Sequence, residues 1–89
     1  MQVKASHILV TTLEAAQNLQ TQITEGASFG DLAKQHSSCP SGANGGDLGL
    51  FGRGQMVPAF EHATFDLPVG AVSQPVQTEF GYHLILRTQ

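Results

Sequence analysis

Three side chains in this sequence have chemistry that could act jointly: His7, Cys39 and His83. A thiol beside an imidazole is the arrangement of a cysteine nucleophile, with the ring drawing off the proton. The same three groups could ligate zinc. No closely spaced ligand pair of the kind usual in zinc sites is present, so no metal and no other cofactor is expected. Taken singly, a strand histidine in a small domain is ordinarily structural, with one satisfied hydrogen bond, and a lone cysteine is ordinarily a small buried hydrophobe. Cys39 fits that second description poorly, because it lies between Ser38 and Pro40 in a polar stretch. His36 and His62 read as surface residues of helices. A second group is apolar: Leu48, Phe51, Met56 and Phe60, set among glycines. Such residues are ordinarily core. They could instead line a shallow cup, since glycine lets the backbone turn tightly without covering a pocket.

Sequence spacing does not bring residues 7, 39 and 83 together, so the elements must. Val3 to Val10 has strand character, and alternation puts Val3, Ala5, His7 and Leu9 on one face. Thr11 followed by Glu14 predicts a capping box at the start of a helix. Leu13, Ala16, Leu19 and Ile23 recur at helical spacing, and Gly26 stands where a C-terminal cap belongs. A shorter helix is predicted from Ser28 to about His36, with Asp31 in its first turn and Phe29, Leu32 and Ala33 inward. Ser37 to Asp47 reads as loop, and Leu48 to Gly52 as a short strand. Pro58 suits the first turn of a third helix, where its missing N–H costs nothing, with Phe60, Ala63 and Thr64 facing inward. Val72 to Thr78 and Tyr82 to Thr88 read as a final hairpin turning at Glu79, Phe80 and Gly81, with Pro75 where no ladder donor is needed. The order β-α-α-β-α-β-β predicts an α+β fold, helices around a sheet of about four strands. If the first and last strands are neighbours in the middle of that sheet, His7 and His83 come within reach.

Length and charge narrow the functional classes. Eighty-nine residues suit one domain, taken as residues 1–89. Apolar residues make up 40% and charged residues 12%, with a mean hydropathy of −0.05, which excludes a disordered tail. Four basic against seven acidic residues give a net charge of −3 and no basic stripe, so no nucleic-acid partner is expected. No apolar run is long enough to span a membrane. The single cysteine excludes an internal disulfide framework. The opening MQVKASHILV lacks the features of a secretory signal, and the expectation is a soluble, cytoplasmic, monomeric protein with a reduced thiol.

The motifs ASHILV, then FGDLAKQHSSCPSGANGGDLGLFGRGQMVPAFEHATF, then VSQPVQTEFGYHLILR, in this order, resemble the parvulin family of peptidyl-prolyl cis/trans isomerases. The resemblance runs from about Lys4 to Arg87, and each piece by itself is weak. It implies a central four-stranded antiparallel sheet surrounded by three or four helices, with His7 and His83 as the family's paired histidines. Thr78 matches the threonine that hydrogen-bonds into that pair, and Cys39 matches a loop position that is commonly Cys or Asp. Leu48, Met56 and Phe60 match the residues holding the substrate proline ring, with Phe80 near the rim. The implied partners are proline-containing peptides and unfolded or folding proteins.

The family's tolerance of Asp where Cys39 stands argues for an electrostatic role over a nucleophilic one, since a carboxylate attacks amides poorly. Parvulins directed to phosphorylated substrates carry a basic insertion between the first strand and first helix. Here Thr11 and Thr12 are the whole connection, no basic residue falls between Lys4 and Lys34, and Arg53 is the only cation near the site residues in sequence. The expected substrate is therefore an unphosphorylated X-Pro bond. Two other readings remain: a non-catalytic proline-peptide-binding or chaperone module using the same cup, and a Cys-His hydrolase.

Overall fold

The computed structural model describes all 89 residues. Strand β1 (Gln2–Val10) leads into helices α1 (Leu13–Thr24) and α2 (Phe29–His36). A 3₁₀ turn over Pro40–Asn44 precedes β2 (Asp47–Gly52), α3 (Pro58–Asp66), β3 (Val76–Thr78) and β4 (Gly81–Arg87). The sheet order is β2-β1-β4-β3 with every pair antiparallel, so the first and last strands are the central two.

Both faces of that central pair are covered, which is why β1 is apolar on both sides. Ile8, Val10 and Leu84 meet Ala16, Leu19, Phe29, Leu32 and Ala33 of α1 and α2 on one face. Val3, Ala5 and Ile85 meet Phe51 of β2 and Phe60 of α3 on the other. His7 and His83 stand on this second face, each about 95% buried (5% and 4% exposed). Two polar side chains keep its margins satisfied. The Thr64 hydroxyl donates to the Phe60 carbonyl at 2.8 Å, and Ser73 Oγ accepts from the Ile85 amide at 3.1 Å.

Several local expectations hold and several shift. Ser28 caps α2 through the Asp31 amide, and Pro58 opens α3. The cap of α1 is Thr12, not Thr11: its hydroxyl accepts from the Ala15 amide at 3.1 Å. With Thr12 as the cap, Ala15 and not Glu14 holds the third helical position, so the expected capping box does not form and the cap is a single hydroxyl-to-amide bond. The stretch read as loop from Ser37 to Asp47 contains the 3₁₀ turn, which starts at Pro40, where a fixed φ favours helical geometry. The strand expected over Val72 to Thr78 is regular only over Val76–Thr78, with an isolated bridge from Val72 to Leu86. Pro75, lacking a donor, lies in the gap.

Candidate active site

The register of β1 on β4 builds the centre of the site. Leu9 lies opposite His83 and His7 opposite Ile85, so the two histidines are diagonal neighbours on one face of the sheet. Their Nδ1 atoms are 2.9 Å apart, and the rings lie 17° from parallel. Phe60 meets both rings edge-on, with centroids 5.1 Å from His83 and 5.5 Å from His7. Burial lowers the His7 pKa from 6.5 to about 4, with the neighbouring His83 adding to the effect. Burial lowers His83 as well. Both rings are therefore neutral at pH 7, each with one N–H donor and one bare nitrogen, as an Nδ1-to-Nδ1 hydrogen bond requires.

The outer nitrogens are engaged too. His83 Nε2 is 2.7 Å from the Thr78 hydroxyl, which also accepts from the Phe80 amide at 3.2 Å. His7 Nε2 is 3.2 Å from Ser41 Oγ, and Ser41 Oγ lies 3.2 Å from Cys39 Sγ. Cys39 thus reaches the histidine pair through Ser41 and not by direct contact. The loop carrying it is tied to β1: the Ser38 amide donates to the Leu9 carbonyl at 2.7 Å, and the Leu9 amide donates to Ser37 Oγ at 3.0 Å. With all four ring nitrogens hydrogen-bonded, none points outward as a ready metal ligand.

Above this polar chain opens a hollow of about 490 Å³. Cys39, Leu48, Met56, Phe60, Phe80, His7 and His83 line it, together with Leu9, Ser38, Pro40, Gln55 and Val57. No lining side chain carries a formal charge. Phe60 is its floor, only 3% exposed, while Phe80 stands at the rim at 62%. Leu48 reaches the hollow because β2 carries a bulge. One residue separates Lys4 from Ser6 on β1, while two separate their partners Leu50 and Asp47 on β2. Gly49, at φ +70°, supplies the left-handed conformation that such a bulge uses, and its amide is held by Asp47 Oδ1 at 2.9 Å. Gly46 brings the preceding loop against β1, its carbonyl accepting from the His7 amide at 2.9 Å. Its φ is +86°, and a Cβ there would collide with the His7 carbonyl oxygen. α3 is anchored at its far end by Arg87, which donates to the Leu67 carbonyl at 2.8 Å.

All the singled-out site residues converge. His7, Cys39, His83, Leu48, Met56, Phe60 and Phe80 face the hollow, and Thr78 stands behind His83. Phe51 does not line it: paired with Val3, it is 2% exposed and packs against Phe60 and Phe65 in the core. Arg53 does not line it either. Its guanidinium lies 4.4 Å from the Phe65 ring centroid and 3.4 Å from Glu61. Ser41, Gln55 and Val57 are site residues that the sequence reading missed. Ser41 is one of three serines within five residues, with Ser37 and Ser38, around Cys39 and Pro40, and nothing local marks the one that turns inward.

The comparisons with known proteins agree with this geometry. Residues 7–89 match the family model described as rotamase, the PPIC-type PPIASE domain. The foldase protein PrsA of Geobacillus sp. (strain WCH70) is 51% identical over 84 residues, which are 93% of this chain and 30% of that protein. The chain thus spans under a third of this curated relative. The peptidyl-prolyl cis-trans isomerase Pin1 of Digitalis lanata is 55% identical over 69 residues, 78% of this chain and 58% of that one. The solution structure of NmPin, the parvulin of Nitrosopumilus maritimus, superposes with a TM-score of 0.90 at 44% identity, covering 99% of this chain and 96% of that one. The four-stranded antiparallel sheet with three α-helices is the parvulin fold, and the chain belongs to the PPIC-type PPIASE family.

Proposed function

We propose that this domain accelerates cis/trans rotation about X-Pro peptide bonds in peptides and folding proteins, without forming a covalent intermediate. The observation carrying the reading is an open apolar hollow whose lining histidines are already hydrogen-bonded to each other and to their neighbours.

Rotation about the amide breaks no bond; its barrier of about 18–20 kcal/mol reflects lost conjugation. A catalyst must bind the twisted amide better than either planar form. Leu48, Met56 and Phe60 hold the pyrrolidine while the chain on the other side of the bond turns, and Phe80 closes the rim. Hydrocarbon surroundings disfavour the polar planar amide relative to the less polar twisted one. Lowering the barrier by about 7 kcal/mol gives roughly 10⁵-fold acceleration. Cys39, at the edge, acts on the carbonyl electrostatically. His7, His83 and Thr78 form a neutral, tautomer-fixed support that sets the local field and exchanges no proton with substrate.

An unphosphorylated X-Pro substrate fits the uncharged lining and the two-residue connection between β1 and α1. The narrower assignment, a cytoplasmic monomer, is carried as part of this proposal. No helix is long and apolar enough to cross a membrane. A protease-coupled assay on X-Pro tetrapeptides tests the activity. Catalysed isomerisation above the thermal rate is expected. Peptide binding with no acceleration would leave a binding module in its place.

A further inference from the structure

We infer that the peptide site continues from the hollow around the edge of the sheet into a second depression, where Asn18 and Gln22 bind the backbone of the residues preceding X-Pro. This deepens the isomerase reading and takes from it the direction of the bound chain.

Strand β2 pairs with β1 only between Gln2 and Ser6. Beyond that point the segment after α2 takes over the edge of β1. The Ser38 amide donates to the Leu9 carbonyl at 2.7 Å, and Ser37 Oγ accepts from the Leu9 amide at 3.0 Å. Ser38 is exposed, and it borders the hollow on the face of the sheet that carries His7. On the opposite face it borders a depression of about 380 Å³ between α1 and the end of α2. Val10, Ala15 and Leu19 give that depression an apolar floor, with Asn18, Gln22 and His36 around it. Only Thr11 and Thr12 join β1 to α1, too short a connection to cover it.

The walls suit a peptide backbone. No Asp, Glu, Lys or Arg lines the depression. Asn and Gln amides each offer N–H donors and a carbonyl acceptor, the same pair of groups that a residue of an extended chain presents. Thr21 and Thr24 of α1 spend their hydroxyls on the Gln17 and Gln20 carbonyls, whereas the Asn18 and Gln22 side chains are exposed and have no partner in the protein. Being four apart, they stand one helical turn apart on the same side, with Cβ atoms about 5–6 Å from each other. Alternate residues of an extended chain repeat at a similar spacing, about 6.6 Å.

Direction follows from Cys39. In the isomerase reading it acts on the carbonyl before the proline, and it directly follows Ser38. The residue bearing that carbonyl therefore lies at the Ser38 side of the hollow, and the chain preceding it crosses Ser38. At about 3.3 Å per extended residue, passing one residue's width brings roughly the second to fourth residues before the proline over Asn18 and Gln22.

NMR exchange kinetics on three peptides that share one Ala-Pro core test the inference. One is the core alone, one adds four residues before it, and one adds the same four after it. Extension before the core should raise kcat/KM about 5- to 20-fold, chiefly through KM, as two added hydrogen bonds would; extension after it should bring little. The double variant Asn18→Ala with Gln22→Ala, at exposed helix positions that alanine suits, should turn over the first extended peptide no better than the core. Titrating the wild type with that peptide should shift the NMR signals of both side-chain amides. An equal gain from either extension, a gain that the double variant keeps, or shifts confined to the hollow would overturn the inference. If no peptide is isomerised yet those amide signals move, the isomerase reading fails and the second depression stands as a peptide-binding site.

Discussion

His7 and His83 are 76 residues apart in sequence, yet their Nδ1 atoms stand 2.9 Å apart on the two central strands of the sheet. The contact is a consequence of register. Opposite residues on β1 and β4 share a face, and a shift of one residue would turn one imidazole into the other core.

That buried neutral pair makes stability depend on acid. The unfolded chain binds a proton at His7 with a pKa near 6.5, and the folded chain resists it down to about 4. Stability is therefore full above pH 6.5 and falls as the pH drops toward about 4, and His83 adds in the same direction. The His7 part amounts to roughly 3 kcal/mol. Urea unfolding at pH 7.5, 5.5 and 4.2 should give steadily lower midpoints. A flat profile would refute neutral burial of the pair.

Met56→Ala should weaken the grip on the proline ring more than it harms the fold, because Met56 is half-buried on the wall of the hollow. Losing its apolar contact is worth roughly 1–3 kcal/mol, or about 5- to 150-fold in kcat/KM. Unchanged kcat/KM would remove Met56 from the site.

Cys39 separates the electrostatic reading from the nucleophilic one. Cys39→Asp should keep measurable isomerisation, and Cys39→Ala should lose only part of it, about 10-fold. If both variants are folded by circular dichroism and wholly inactive, a covalent role for the thiol returns.

Phosphate on the residue before proline should bring no gain. No cationic side chain lines the hollow, and Arg53 is held by Glu61 and Phe65. The kcat/KM of a Ser-Pro peptide should equal or exceed that of its phosphorylated twin. A large gain on phosphorylation would show a phosphate site elsewhere on the rim.

Gly46→Ala should be severely destabilising, since the added Cβ meets the His7 carbonyl at a positive φ. A cost of about 3 kcal/mol or more lowers Tm by roughly 12–24 °C in a domain of this size. A Tm within a few degrees of wild type would mean that the loop relaxes away from β1.

The sequence alone made much of this molecule legible wherever the deciding force is local. The cap at Ser28, the start of α3 at Pro58, the apolar alternation of β1 and the turn before Gly81 depend on residues a few positions apart. Through its motifs it also marked His7, Cys39, Thr78 and His83 as one group. What folding in three dimensions decided is how they connect. Ser41 and not Cys39 touches His7, because the 3₁₀ turn after Pro40 rotates that one hydroxyl inward. Leu48 enters the hollow through a bulge, while Phe51, of the same residue type as Phe60, is consumed by the core. Hydrogen-bond connections and the side of a sheet that a residue faces are set by partners distant in sequence, so no window along the chain contains them.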